Sequence, residues 1–342
     1  MNLDIATGRS YSTTKLCTEM RAVEGHGLPR RALGTTGLLV TSLGIGCGAL
    51  GNMPETFGYD VPEAQALDTL RLVFHSPINF VDTAAAYGDG ESERRIGLVL
   101  REFGGVPAGY VLATKADRNL RTGEYSGDQI RRSVERSLRL LGLTRFQLVF
   151  LHDPEHTTFE QAMAPSGPVE VLRHFHEEGV IEHVGVAGGP IDLMIRYVET
   201  GAFEVVITHN RYTLLNRIAE PLIATATGRG VAVLNAAPYG SGILAKGPEA
   251  YARYAYRAAD ADEVARARGA AEVCRRHGIP LAAAALQFSL RDARIVSTIV
   301  GVSRPERVAD TLALAAYPIP EEVWPELDRF ATWRGDPEHA RG

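Results

Sequence analysis

From residue 30 onward, short apolar runs rich in β-branched residues alternate with longer segments whose apolar positions recur three and four apart. The runs predict strands at 40–46 (VTSLGIG), 79–84 (NFVDTA), 110–115 (YVLATK), 146–152 (FQLVFLH), 183–188 (HVGVAG), 204–210 (EVVITHN), 231–237 (VAVLNAA) and 295–301 (IVSTIVG). Among the helical segments SGDQIRRSVERSLRLLGL is the clearest. Ile130, Val134, Leu138 and Leu141 share one face there, and Gly142 ends it. AEVCRRHG and RPERVADTLALA have the same spacing. Ahead of the first strand, RRALGTTGLLV predicts a hairpin turning at Gly34 and Gly37. Strict alternation of strands and helices predicts a parallel sheet. Eight units predict an α/β fold closed into a (β/α)8 TIM barrel with an N-terminal β-hairpin. An open doubly wound sheet usually stops at about six strands.

A barrel collects chemistry at the C-terminal ends of its strands. Asp82, Tyr87, Lys115, His152, Asn210 and Arg304 all lie at or just beyond such ends. The first four fall on successive strands and make a coherent set. A tyrosine, with a pKa of about 10, is a poor acid or base at neutral pH. An ammonium beside it favours the phenolate and is expected to lower that value. A carboxylate next to the lysine keeps it charged and fixes it, and a histidine on the next strand end can donate a hydrogen bond to a substrate oxygen. Such a set moves a proton at an oxygen while a nicotinamide gives or takes hydride at its carbon. Taken singly, each residue has a plainer explanation: Asp82 as a helix cap, Lys115 as a solvated strand end, His152 as a hydrogen-bonded barrel residue. Their coincidence on three neighbouring strands favours the catalytic set.

Composition narrows the function class. The chain has 342 residues, 45% hydrophobic and 23% charged, with a net charge of -5, which argues against a nucleic-acid or membrane-surface role. No apolar run approaches the roughly 18 residues of a membrane span. Cys17, Cys47 and Cys274 are far apart and odd in number, so neither a disulfide framework nor a zinc knuckle is expected, and a reducing cytoplasm is the natural compartment. The N-terminus lacks a secretory pattern. The expected organisation is an irregular extension over 1–29, one barrel over 30–335 and a polar tail over 336–342.

Several long motifs resemble those of the aldo-keto reductases, over about residues 30 to 330. RRALGTTGLLVTSLGIGCGALG is similar to the family's hairpin and first strand, FVDTAAAYGDGESERRIG to its second-strand signature, LATK and LVFLHDPE to the two that follow. The resemblance implies Tyr87 as general acid/base, Lys115 tuning it, Asp82 anchoring Lys115 and His152 orienting the substrate. RYTLL, HDPE, NAAPYGSGIL and AAALQFSLRD are most similar to the branch of D-threo-aldose, L-fucose and L-galactose 1-dehydrogenases and related pyridoxal dehydrogenases.

The resemblance also implies where a nicotinamide dinucleotide lies. Gly46, Cys47, Gly48 and Asp82 are expected beside the nicotinamide ribose, with His209 and Asn210 on the sixth strand where many members carry a glutamine. Ala187 and Gly188 replace a serine and an asparagine that hold the carboxamide elsewhere in the family. Ala236 replaces a stacking tyrosine, for which Tyr239 can substitute if its loop turns inward. Pro238, Tyr239, Gly240, Ser241 and Gly242 offer amides and a hydroxyl to a pyrophosphate. Gly301, Ser303, Arg304 and Arg307 lead into the last helix, whose N-terminus suits a phosphate, and Asp310 is expected near the adenine. Gly301 stands where NADP-specific members carry a lysine, which favours NAD over NADP.

Some patterns point elsewhere and are set aside. GCGALG fits GxGxxG, but NMPETFGYDVP after it opens no helix. His174, His176 and His183, with Glu177 and Glu178, read as a solvated helix end running into a strand, and no metal site is expected. The function expected is interconversion of a hydroxyl and a carbonyl on a small sugar or sugar-like molecule. The alternatives are a general NADPH-dependent carbonyl reductase and a slow-turnover redox-sensing subunit. Loops 153–168 and 242–262 and the segment from 318 are expected to select the substrate. Within them AYARYAYRAAD (250–260) reads as the exposed face of a helix, with a polar substrate wall as the alternative. Reaction direction and oligomeric state stay open.

Overall fold

The computed structural model describes residues 28–332 and 335–338. Residues 1–27, which include Cys17 and most of the expected extension, lie outside the described residues. Among the described residues twelve strands form in chain order: β1 (Arg30–Ala32), β2 (Leu39–Thr41), β3 (Leu43–Gly46), β4 (Phe80–Asp82), β5 (Val111–Ala116), β6 (Phe146–His152), β7 (Ile181–Ala187), β8 (Val205–His209), β9 (Ala232–Ala236), β10 (Arg253–Tyr254), β11 (Arg257–Ala258) and β12 (Ile295–Gly301). β3 to β9 and β12 close into a parallel barrel in the order β12-β3-β4-β5-β6-β7-β8-β9. Helices such as Glu91–Phe103, Gly127–Leu141 and Ala261–Arg276 cover its outside. The fold is the (β/α)8 barrel that the alternation predicts.

Period-two alternation sorts each strand into an inner and an outer row. Phe80, Ala113, Leu148, Phe150, Val205, Ile207, Leu234 and Ile299 fill the barrel, whereas Val81, Leu112, Val149, Leu151 and Val206 face the helices. The β1–β2 hairpin closes the floor, because Leu33 and Val40 join the inner cluster. Gly44 and Gly185 make room inside. A Cβ on Gly44 would stand 2.7 Å from the Phe80 ring, and one on Gly185 2.4 Å from the Phe150 ring.

The helix at Gly127–Leu141 starts where Ser126 accepts a hydrogen bond from the Gln129 amide and stops where Gly142 adopts φ 70°. The strand expected over 40–46 divides at Ser42. Its first half pairs antiparallel with β1 and its second half enters the barrel wall. Asn79 holds the division, accepting from the Thr41 amide at 2.7 Å and donating to the Leu39 carbonyl at 2.8 Å. Among the described residues no helix is long and apolar enough to cross a membrane.

Glu93 is a buried acid behind the barrel wall, accepting from the Thr114 hydroxyl at 2.5 Å. Burial pushes its carboxyl up to about 7, against the pull of the hydrogen bond from Thr114. A folded value above the unfolded one means stability is fully present below about pH 4.5 and is lost as pH rises to about 7. Glu93→Gln keeps the shape without that loss. Denaturant unfolding above pH 7 is expected to show it more stable by about 3 kcal/mol, with the difference gone at pH 4.

Candidate active site

The alternation that fills the barrel also aims polar side chains at its mouth. Asp82 follows Phe80 by two, Lys115 follows Ala113, His152 follows Phe150 and His209 follows Ile207, so all four lie in inner rows at or near the strand ends. Lys115 Nζ donates to Asp82 Oδ2 at 2.7 Å, to the Thr83 carbonyl at 2.8 Å and to the Tyr87 hydroxyl at 3.1 Å. Tyr87 meets His152 edge-on, with ring centroids 5.9 Å apart. Its loop is seated by two glycines. A Cβ on Gly88 would stand 2.0 Å from the Gly51 carbonyl oxygen, and one on Gly51 2.7 Å from that of Tyr87. The GCGALG stretch therefore serves backbone packing: Ala49–Gly51, its second half, is a single 3-10 turn, and the helix after it, against expectation, does form but is only the four residues Pro54–Phe57.

His152 is held as firmly as Lys115. Its Nδ1 lies 2.6 Å from Asp117 Oδ1, its Nε2 lies 3.6 Å from Asp153 Oδ1, and its carbonyl accepts from the Tyr125 hydroxyl. Asp117 was not foreseen from sequence. The signal was there, because Asp117 follows Lys115 by two and continues the same inner row.

The electrostatics overturn one expectation. Tyr87 is raised above the ordinary phenol value, not lowered: burial dominates, Lys115 pulls down and Asp82 pushes up. The resting group is a neutral phenol. Burial lowers the affinity of Lys115 for its proton, but Asp82 and Tyr87 together outweigh that and keep it an ammonium. For His152 burial again works against charge, and the Asp117 and Asp153 carboxylates outweigh it, raising the imidazole above its usual value.

Residues 42–332 match the sequence model of the aldo/keto reductase family. The chain belongs to the aldo/keto reductase family. It is therefore an NAD(P)-dependent oxidoreductase. Among curated relatives, a D-threo-aldose 1-dehydrogenase from Pseudomonas sp is 30% identical over 327 residues, covering 86% of this chain and 95% of that one. An L-galactose dehydrogenase from Arabidopsis thaliana is 30% identical over 287 residues, covering 83% and 86%. An aldo-keto reductase from Bacillus halodurans, solved in its holo form, superposes with a TM-score of 0.73 at 25% identity, covering 92% of this chain and all of that one.

In this reductase a cavity of about 740 Å³ opens over the strand ends and holds all four of Asp82, Tyr87, Lys115 and His152 on its wall. Gly46, Gly48, His209, Pro238, Tyr239, Ser241, Gly242, Gly301, Ser303, Arg304 and Arg307 also line it, as do Ala187 and Ala236. Cys47, Asn210, Gly240 and Asp310 do not. Cys47 points into the helix-side core, where burial pushes its thiol far up. Asn210 is buried behind the wall, and Gly240 lies against the Tyr254 ring. Asp310 stands 3.8 Å from Arg307. Tyr239 lines the cavity, with its hydroxyl buried, without a hydrogen-bond partner among the described residues, and under the charges of Arg307 and Asp310.

Residues 250–260 correct the helix expectation. They form the β10–β11 hairpin, whose turn residues Ala255 and Tyr256 both have positive φ. Tyr254 is buried, while Tyr251 and Tyr256 line the cavity. Tyr256 meets Phe57 edge-on at 6.1 Å, and the Tyr251 hydroxyl donates to the Phe57 carbonyl at 3.4 Å. The hairpin thus crosses to the segment after β3 and roofs the cleft. Lys246, also unforeseen, joins Arg304 and Arg307 on the wall, and burial with those two cations lowers its proton affinity.

The polar stretch 336–342 is docked over its described part. Glu338 accepts from Asn210 Nδ2 at 2.8 Å and pairs with His209 at 3.2 Å, while Asp336 accepts from Arg211 at 2.7 Å. Residues 339–342 lie outside the described residues. The histidines set aside earlier have structural partners: His176 lies 3.1 Å from the Ile181 carbonyl and His183 3.0 Å from Glu204.

Proposed function

We propose that this enzyme interconverts a hydroxyl and a carbonyl on a small, sugar-like substrate and prefers NAD. The observation that carries the reading is Lys115 Nζ, buried and within hydrogen-bond distance of both Asp82 and Tyr87 on the wall of the large cavity. The relatives named for sugar dehydrogenation support the substrate class, as do polar groups at the Tyr87 end: His152, Asp153, Arg118 and Tyr256.

The cavity fits a dinucleotide. A Cβ on Gly301 would project into open space along it, and Asp82 Oδ1 has no hydrogen-bond partner among the described residues, leaving an acceptor for a ribose hydroxyl. Ser241 and the cations Lys246, Arg304 and Arg307 suit its phosphates. Glu306 and Asp310, each 3.8 Å from an arginine, already offset part of that charge. This suits a pyrophosphate better than an added dianionic 2′-phosphate and supports NAD. Bound there, the nicotinamide accepts or supplies the hydride at the substrate carbon. Tyr87 holds the proton of the reacting oxygen, Lys115 stabilises its phenolate, Asp82 keeps Lys115 charged, and His152 orients the oxygen. A reducing cytoplasm suits Cys47 and Cys274, both free and buried.

The test is ultraviolet absorbance of reduced nicotinamide, crossing NAD and NADP against L-fucose, L-galactose, D-arabinose and pyridoxal. Reduction of NAD by one sugar is the expected result. Silence on all of them, with NADPH-dependent reduction of simple aldehydes, would replace this reading by a general carbonyl reductase. Lys246→Ala is expected to weaken NAD and NADP binding equally, by about fivefold. A loss confined to NADP would place a 2′-phosphate at this corner and contradict the NAD preference.

A further inference from the structure

We propose that Asp117 is the positioning residue of His152, locking the ring so that Nε2 can donate to the substrate oxygen only while the imidazole is positively charged. The inference rests on the functional reading above.

Asp117 is 3% exposed and both its carboxylate oxygens are committed. Oδ1 lies 2.6 Å from His152 Nδ1, and Oδ2 accepts from the Ala86 amide at 2.8 Å, next to Tyr87. One side chain therefore joins the histidine to the loop that carries the tyrosine. The carboxylate is itself fixed through its backbone: the Asp117 amide donates to Ser133 Oγ at 3.0 Å and its carbonyl accepts from Gln129 Nε2 at 3.1 Å. The anchors come from the helix at Gly127–Leu141, so the position of His152 is set from a rigid element outside the barrel.

The bond fixes the tautomer. An ionised carboxylate only accepts, so the proton it shares sits on Nδ1. A neutral ring then has a bare Nε2 lone pair, which accepts from a hydroxyl but offers nothing to a carbonyl oxygen. Only the imidazolium carries hydrogens on both nitrogens. Asp117 thus ties the role of His152 to its charge. A carbonyl substrate needs the charged ring, and an alcohol substrate can donate to the neutral one.

The groups facing the ring all enter this balance. Asp117 and Asp153 favour the charge, with Asp153 3.6 Å from Nε2. Lys115 and burial oppose it. Tyr87 presents its ring edge, the Tyr125 hydroxyl is spent on the His152 carbonyl, and Asp82 and His156 act at longer range.

The test needs no substrate. Ring resonances of His152 in the full-length protein, assigned by their loss in His152→Gln, are followed against pH by NMR in wild type and Asp117→Asn. Asparagine keeps an acceptor on Nδ1 but removes the charge. The expected result is a His152 titration lower by about one pH unit or more in Asp117→Asn. Asp117→Ser serves the same test if the asparagine variant does not fold. In turnover, kcat/KM for carbonyl reduction at pH 7 is expected to fall about tenfold and to recover at lower pH, with NADH affinity unchanged. An unmoved titration, or a loss of activity equal at every pH, would overturn the proposal. A shifted titration in a protein that turns over no nicotinamide would uphold Asp117's role and refute the functional reading instead.

Discussion

Tyr87→Phe is expected to lower kcat by about 10²–10⁴-fold while leaving cofactor affinity near wild type. The phenolic oxygen is the one proton carrier tied directly to Lys115, at 3.1 Å. Removing it leaves Lys115 its bonds to Asp82 and the Thr83 carbonyl, so no buried charge is orphaned and the fold is expected to hold within about 1 kcal/mol. The ring still fills its place beside Gly48 and edge-on to His152. The pH dependence is as diagnostic as the rate. Burial raises Tyr87, so the neutral phenol is ready to donate a proton in reduction but must lose one before it accepts one in oxidation. Oxidation by wild type is therefore expected to rise with pH far into the alkaline range, and the rise is expected to vanish in Tyr87→Phe. A variant that keeps a tenth of wild-type turnover, with the same alkaline rise, would remove Tyr87 from the proton path.

The paired substitution Asp336→Ala and Glu338→Ala is expected to cost about 3–5 kcal/mol of stability. Arg211 is 2% exposed. Asp336 pairs with it at 2.7 Å and Glu338 at 3.7 Å, so losing both strips a buried guanidinium of two counter-charges. Glu338 also binds His209 and Asn210. His209, Arg211 and Asn210 hold its carboxyl well below the usual range although burial pulls the other way. A depressed folded value gives stability that is present above the unfolded pKa, about 4.3, and is lost as pH falls below it. Chemical denaturation across pH checks both points. The variant is expected to unfold at lower denaturant near pH 7, with the gap to wild type shrinking below about pH 4. Because His209 lines the cavity, freeing it is also expected to weaken cofactor binding.

What was legible in the sequence follows from the range of the interactions. The barrel strands announce themselves through local apolar runs, and a single inner row per strand brings Asp82, Lys115 and His152 to one mouth. Asp117 belongs to the same pattern and was missed only because the row continues one step past the strand. Lys246 and Glu338 reach the site through long-range packing, which no local period encodes. The β10–β11 turn has the same cause: Ala255 and Tyr256 adopt positive φ without a glycine to mark it. The sign of the Tyr87 shift was beyond the sequence too, because it turns on burial outweighing a neighbouring charge. The local pattern predicts one strand over 40–46, because nothing near Ser42 marks a break; Asn79, far along the chain, divides it.

In the proposed reaction hydride passes directly between the nicotinamide and a carbon whose oxygen meets Tyr87. The measurement that tests it most directly is deuterium transfer from a sugar labelled at the carbon to be oxidised, read by mass spectrometry of the reduced nicotinamide. One deuterium in the reduced cofactor per turnover is expected with wild type, and almost none formed by Tyr87→Phe in the same time. Reduced cofactor carrying solvent hydrogen, or deuterium transfer undiminished in the variant, would contradict it.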